Sequence, residues 1–402
     1  LTMIESGSAA FWRATVALCI GSFMIFSNVY VTQPILPELQ REFELTTLEV
    51  SGSFTVTTLM LGLSLLLYGP LSDALGRRRL MLLSMTGVCI CSLLLSQVES
   101  FSTLVWLRGL QGFCLGGLPA IAIAYMGDEF SRKALLVAVG LYISGNTLGG
   151  ISGRLIGGFV GDWLGWADLF LVMGIISALC LLLFWWLLPP SRHFRPQPLH
   201  PKTMLSQLRN HLSNPLLLLI YLVGGLNFFI FINQYSYIIF VLADAPYSLS
   251  PAWLGLLFLT YLTGTVGSAL SGKVALRQGQ LRCIIAGILI LIGGSLLTLS
   301  GSLPVIVTGF FINSFGFFFA HSSASSWVSH QATHARASAS SLYLVFYYLG
   351  ASIGGFYLDP FWQWRGWEGV VSGSVIVLLI TLSLTLALSS LIARGMIRTH
   401  SF

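Results

Sequence analysis

The sequence predicts an all-α integral membrane protein of twelve transmembrane helices, arranged as two pseudo-symmetric halves of six. Three observations carry that prediction. Of 402 residues, 55% are hydrophobic and only 8% are charged, with a mean hydropathy of +0.84. Soluble domains carry about 25% charged residues, because water must wet their surface. Polar punctuation also divides the apolar residues into twelve runs of spanning length, and one stretch recurs half a chain further on. Twelve spans of ~20 residues leave only short loops and no room for a separate globular domain. Disorder, a secreted scaffold and a soluble enzyme are all excluded.

The spans run over 11–33, 49–70, 80–98, 101–125, 134–160 and 167–188, then 214–241, 251–272, 282–300, 303–328, 337–358 and 368–393. The first has no small-residue cleavage site behind it and is expected to be a retained span, not a cleaved signal. Of the 20 lysines and arginines, sixteen lie in loops on one side, among them Arg77, Arg78 and Arg79. Two lie on the other side (Arg41, Arg365), and Arg108 and Arg154 fall inside helices. The positive-inside rule then places both termini and the central loop in the cytoplasm. Tryptophans such as Trp163, Trp166, Trp364 and Trp367 mark span ends, where an amphipathic ring suits the headgroup layer.

The longest connection, 191–213, is rich in proline and basic residues and divides an N-terminal half, 1–190, from a C-terminal half, 214–402. Within it, 204–209 fits either a short amphipathic surface helix or a solvated linker. The six cysteines include no CxxC pair and lie in or beside apolar runs, so they read as buried small hydrophobes. No metal-ligand cluster and no cofactor motif is present. The net charge of +6 comes without a basic stripe interleaved with aromatics, so no nucleic-acid partner is expected.

The repeat has a fixed offset of 201. Leu141, Tyr142, Leu148, Gly149, Gly153, Trp163, Gly165 and Trp166 recur as Leu342, Tyr343, Leu349, Gly350, Gly354, Trp364, Gly366 and Trp367. An even number of spans separates the copies, so both halves have the same orientation. Parallel six-span repeats are one architecture of secondary transporters.

Three motifs follow. After span two the chain reads Gly69-Pro-Leu-Ser-Asp73-Ala-Leu-Gly76-Arg77-Arg78-Arg79, a tight turn with one carboxylate and a basic triplet. Such a carboxylate can dock on a helix N-terminus. Span four carries Arg108-Gly109-Leu110-Gln111-Gly112. Span five carries Gly140, Gly149, Gly153, Arg154, Gly157 and Gly158. Its glycines at i, i+4 and i+8 form a close-packing face, or a leak-tight hinge that can slide.

These motifs resemble signature motifs A, B and C of the major facilitator superfamily, and of its drug:proton antiporter branch in particular. The similarity extends over the whole chain. It is strongest to YnfM-like inner-membrane members, which share the 321–327 stretch beginning at His321 and the Tyr347-Tyr348-Leu349-Gly350 run. Two departures stand out: Arg154 replaces the proline of motif C, and the second-half copy of motif A (272–279) lacks the aspartate. The resemblance implies a conformational latch in which Asp73 docks near Ser338 and Arg77 pairs with Asp128 or Glu129. It also implies a proton-related role for the motif B arginine, Arg108, and a bacterial inner-membrane location.

Ionisable groups inside a membrane are costly, ~2.5–3.5 kcal/mol at a helix centre on insertion scales, so each needs a partner or a purpose. Arg108 and Arg154 either bond helix carbonyls or line a polar cavity. His321 shares a face with Asn313, Phe317 and Ser325, and is either a proton carrier or a packing residue. Asn28, Asn227, Asn233, Gln234, Tyr235, Asn313 and Tyr347 are further substrate or proton candidates. No Asp or Glu is expected mid-span. His330 and His334 are assigned to a loop. No nucleophile, HExxH or GxSxG constellation appears, so the chain is not expected to be an enzyme, and no GxxxxGK[ST] loop supports ATP-driven transport. The expected function is secondary active transport by alternating access, exporting small amphipathic molecules in exchange for protons. Uptake or facilitated exchange of a sugar or organic anion is the alternative. The expected partners are a small-molecule substrate, the proton and the lipid bilayer, with the protein a monomer.

Overall fold

In a lipid interior each backbone N–H and C=O must be bonded within its own segment, and the chain meets that demand with helices almost throughout. The computed structural model describes residues 2–332 and 336–399, with residues 132, 136, 336 and 337 described by backbone alone. Among the described residues there is no β-strand, only an isolated bridge between Ile4 and Phe130.

Span one is α1 (Ala9–Tyr30), continued by a 3-10 turn (Gln33–Ile35) and α2 (Leu36–Phe43). Pro34 causes the interruption, since it lacks an N–H and its ring clashes with the carbonyl four residues back. Spans two and three are α3 (Thr47–Leu75) and α4 (Arg77–Leu95). α3 begins with a capping box in which the Thr46 hydroxyl accepts from the Glu49 N–H and the Glu49 carboxylate accepts from the Thr46 N–H, both at 3.2 Å. Span four is broken into α5 (Phe101–Leu115) and α6 (Gly117–Glu129) by Pro119, for the same reason as at Pro34. Spans five and six are α7 (Arg132–Leu164) and α8 (Trp166–Leu187).

The segment 201–213 is helical: α9 (Pro201–Ser213) covers 204–209, leaving 188–200 as the extended part of the connection. The second half continues with α10 (Pro215–Ala243), α11 (Pro251–Leu256), a 3-10 turn (Leu257–Thr260), α12 (Tyr261–Gln278), α13 (Gln280–Leu297) and α14 (Leu303–Gln331). The last element, α15 (Arg336–Ala393), holds two spans. Arg365 (φ −142°, ψ 22°) and Gly366 (φ +58°, ψ −132°) leave helical geometry and separate them. Among the described residues, eleven segments are long and apolar enough to cross a membrane, and that break makes the last of them two, giving twelve spans.

Several helices outrun their apolar runs. α12 extends to Gln278 and α14 to Gln331, because polar side chains at a membrane surface do not stop a helix while its backbone bonds continue. His330 therefore belongs to the last turn of α14, with its Nδ1 3.3 Å from Gln280 Nε2, and not to a loop. His334 lies outside the described residues.

The repeat reappears in backbone geometry. The turns between spans two and three and between spans eight and nine use Gly76 (φ +110°) and Gly279 (φ +86°). Those between five and six and between eleven and twelve use Gly165 (φ +87°) and Gly366. Left-handed values of this kind are cheap only for glycine. By contact the chain forms two compact units, Leu1–Leu199 with Leu249–Leu256, and His200–Ser248 with Leu257–Phe402.

Candidate functional site

In the first unit the turn after α3 is tied to the end of α6. Arg77 donates Nε to Asp128 Oδ2 at 2.9 Å and Nη1 to the Ser72 hydroxyl at 2.8 Å, and it also pairs with Asp73. Arg77 is largely covered, at 12% exposure, while Asp73 and Asp128 are 45% and 27% exposed. Glu129 does not share in this. Its carboxylate accepts from the His193 backbone N–H at 2.8 Å and meets His193 Nδ1 at 2.9 Å. Arg78 donates instead to the Trp185 carbonyl at the end of α8, at 2.9 Å. Gly69 has open space around it, and Gly76 supplies the left-handed turn.

Deeper in the unit, Arg108 is fully buried. Its guanidinium donates to the carbonyls of Asn28 (2.9 Å), Val29 (3.1 Å) and Ser53 (3.3 Å), and to Gln111 Oε1 (2.7 Å). The first two carbonyls adjoin the proline-induced break after α1. Gln111 passes the network to Ser92 (2.7 Å), whose hydroxyl donates to Asn28 Oδ1 (3.1 Å). The Asn28 amide reaches Ser177 at 2.8 Å. Spans one, two, three, four and six are thus joined through one set of buried polar groups. Gly112 lets α5 approach α3, since a Cβ there would lie 2.9 Å from Thr57 Cα.

The glycine face of span five packs on α1 in register. A Cβ at Gly149 would lie 2.9 Å from Phe23 Cα, and one at Gly153 would lie 2.5 Å from Ser27 Cα. Gly157 meets Val31 in the same way, and a Cβ at Gly158 would lie 3.0 Å from Gly255 Cα. Gly140 is outside this face, because a side chain there would meet nothing within 4 Å. Arg154 is buried with its guanidinium 3.9 Å above the Tyr30 ring and its Nε donating to Gln33 Oε1 at 2.8 Å. Arg108 and Arg154 therefore contact the backbone carbonyls and the side chains, respectively, of the same stretch, residues 28–33.

The second unit contains a matching polar triad on spans seven, nine and ten. Gln234 donates to Ser295 at 3.0 Å, and Asn313 donates to Gln234 Oε1 at 3.0 Å. Ser295 and Asn313 stand where Ser92 and Gln111 stand in the first half, whereas Gln234 lies one helical turn beyond the position equivalent to Asn28. Phe310 takes the place of Arg108, at an offset of 202. Asn233 bonds the Phe229 and Ala351 carbonyls, at 2.8 and 3.2 Å, where Gly354 brings α15 against α10. The Tyr235 hydroxyl lies 2.6 Å from Thr260 Oγ1. All these candidates take part in interhelical bonds.

His321, Tyr347 and Asn227 are placed differently. Half-buried His321 stacks on Phe317 (5.6 Å between centroids, 8° between planes) and on Tyr343 (5.4 Å, 25°), with Tyr347 at 4.7 Å. Its Nδ1 lies 2.9 Å from the Tyr343 hydroxyl. Tyr347 in turn stacks on Phe228 at 3.5 Å. Beside Phe228 in sequence, Asn227 has a buried Oδ1 without a hydrogen-bond partner among the described residues. The rings of Phe228, Phe317, Tyr343 and Tyr347 pack on one another and on one imidazole, each ring no more than 7% exposed.

One group was not anticipated. Asp359 is only 6% exposed and lies inside α15, six residues before the break at Arg365. It accepts from the Tyr237 hydroxyl at 3.0 Å and from Gln363 Nε2 at 2.7 Å. It stands near the end of its span, so the expectation of no mid-span acid is not contradicted. The apolar run ends at 358, but the helix continues, and the carboxylate continues with it.

Residues 18–355 match the family described as Major Facilitator Superfamily. The inner membrane transport protein YnfM of Escherichia coli (strain K12) is 40% identical over 381 residues, covering 95% of this chain and 91% of that protein. The MFS-type transporter YybF of Bacillus subtilis (strain 168) is 38% identical over 385 residues, covering 96% and 95%. Among solved structures, a peptide transporter POT in complex with sulfate aligns with a TM-score of 0.77 at 16% identity, covering 94% of each chain. The human organic anion transporter MFSD10 aligns at 0.68 with 19% identity, covering 93% of this chain and 99% of its own. At these identities the structural likeness establishes the fold.

Proposed function

The chain belongs to the major facilitator superfamily of membrane transporters, and we propose that it is a proton-coupled antiporter of the drug:proton branch. It exports small amphipathic molecules by alternating access, from a bacterial inner membrane with both termini in the cytoplasm. The observation that carries this is the His321 grouping. The rings of Phe228, Phe317, Tyr343 and Tyr347, closed on one another here, would suit a flat apolar substrate once alternating access parts them. A neutral imidazole accepts the Tyr343 O–H at Nδ1, whereas a protonated one donates Nδ1–H to the tyrosine oxygen. Proton loading therefore reverses that hydrogen bond without requiring an acid beside it. The Arg77–Asp128 contact and Asp73 form the conformational latch.

The test is dye-reported proton movement in proteoliposomes under an imposed pH gradient, with cationic, neutral and anionic compounds added in turn. Substrate-evoked proton flux is expected in the unaltered protein and is expected to vanish in His321→Ala. Undiminished flux in that variant overturns the assignment of the proton to span ten.

A second reading is facilitated exchange of an organic anion, favoured by the buried Arg154 guanidinium over Tyr30. The structural neighbour MFSD10 is an organic anion transporter. Equilibration of a labelled anion without proton movement, lost in Arg154→Ala, would put this reading first.

A further inference from the structure

At the start of α4 and the end of α8, the first unit carries cationic side chains that neither the latch nor the repeat explains. Arg78 borders two cavities. One, of ≈ 650 Å³, is lined by Arg77, Arg78 and Arg79 with Leu82, Leu83 and Thr86, and it has no acid in its wall. The other, of ≈ 930 Å³, brings Arg13, Arg78 and Arg192 beside Trp185 and Trp186. Its two carboxylates are Glu129, held by His193, and Glu5.

Arg13 donates to the Trp186 carbonyl at 2.8 Å, and Arg78 to Trp185 at 2.9 Å and Leu188 at 3.4 Å. These bonds fix both guanidinium groups on the last carbonyls of α8 and use only part of each five-donor fork. Arg79 and Arg192 are exposed. From Arg79 the outer face of α4 turns apolar, through Leu83, Thr86 and Ile90 at i+4, i+7 and i+11. Leu83 and Ile90 are 67% and 53% exposed. Trp185 and Trp186, 58% and 65% exposed, stand at headgroup depth beside the arginines. Fixed positive forks above a continuous lipid-facing apolar stripe match one kind of molecule, with an anionic head and a long hydrocarbon tail.

We propose that this is a binding site for one anionic glycerophospholipid. Its phosphate lies against Arg78 and Arg79, with Arg13 and Arg192 completing the positive field, and one acyl chain runs along Leu83 and Ile90. Guanidinium forks match phosphate oxygens bidentately. A zwitterionic lipid brings an ammonium group into the same positive field and is disfavoured.

The test is native mass spectrometry of the full chain in mixed micelles, offering phosphatidylglycerol, phosphatidylcholine or soluble glycerol phosphate. One phosphatidylglycerol is expected to be retained in preference to phosphatidylcholine. Basic groups near a membrane surface each contribute about fivefold to anionic-lipid affinity. Retention is therefore expected to fall about fivefold in Arg79→Gln and roughly 25-fold with Arg192→Gln added. Both side chains are exposed, so the fold does not depend on them. The pair Arg277→Gln and Arg282→Gln, an equal charge change in the second unit, is expected to leave retention intact. Equal loss in that pair, equal retention of phosphatidylcholine, or binding of glycerol phosphate as tight as that of the lipid would each overturn the proposal. The last outcome would mean a site for free phosphate.

Discussion

Two glycine-to-alanine substitutions on α7 should change stability in opposite directions. At Gly153 the added methyl would sit 2.5 Å from Ser27 Cα and 2.8 Å from Ser27 C. Carbon atoms pack at about 3.5–4.0 Å, so α1 and α7 must separate by roughly 1 Å. The obstacle is backbone, which cannot swing aside. Separation also loosens the Gly149–Phe23 and Gly157–Val31 contacts above and below. In a membrane such packing is a main source of helix association. Overpacking of this kind costs about 1–3 kcal/mol, offset by up to ~1 kcal/mol from alanine's better helix propensity. At Gly140 the methyl meets nothing within 4 Å, so only the propensity gain remains. Thermal unfolding of the purified protein in one detergent should put Gly153→Ala below the parent and Gly140→Ala at or above it. About 2–4 °C per kcal/mol is expected for a cooperative unit of ~200 residues. Equal midpoints for the two variants would refute the reasoning.

Further outcomes follow from the buried polar groups. Arg108→Ala strands several acceptors, each charged hydrogen bond being worth about 1.5–3 kcal/mol. That variant should fail to accumulate in membranes, while Arg108→Lys, keeping one charge and fewer donors, should accumulate partially. Tyr237→Phe should lower stability by about 1.5–3 kcal/mol through loss of its bond to the Asp359 carboxylate, and Asp359→Asn, which keeps an acceptor, by less. Unfolding midpoints in detergent would decide both. A double-mutant cycle on Arg77 and Asp128 should give a coupling of ~1 kcal/mol that weakens with salt, since the pair is only partly covered. A coupling unaffected by salt would contradict that placement.

The twelve spans, their order and their repeat were legible because apolar length and glycine position are local properties of the chain. Gly165 and Gly366 recurred at the fixed offset of the repeat, and Gly149, Gly153 and Gly157 announced a close contact. What the sequence left open was the partner of each polar group. Asn28, Gln234 and Asn313 read as equal candidates with Asn227, yet the first three meet amides and hydroxyls from distant spans while Asn227 keeps an unmet acceptor. Proximity across some eighty residues, as between Arg108 and Asn28, leaves no trace in spacing. Asp359 escaped because hydropathy marks where lipid-compatible residues stop, whereas a helix stops only where its backbone geometry fails. The same distinction moved His330 from a loop into α14.

The glycine turns also govern where foreign sequence can be placed. Gly76, Gly165, Gly279 and Gly366 each connect two spans through a single left-handed residue, so no slack exists there for a grafted domain or epitope. The stretch 188–200 is the longest described connection without helix, and it is tethered by the Gln197 N–H to the Asp73 carbonyl at 2.8 Å. A protein with so little mass outside the bilayer needs an added rigid marker to be aligned in single-particle images. Those turns leave the 188–200 connection, beyond its tether, as a place to build one.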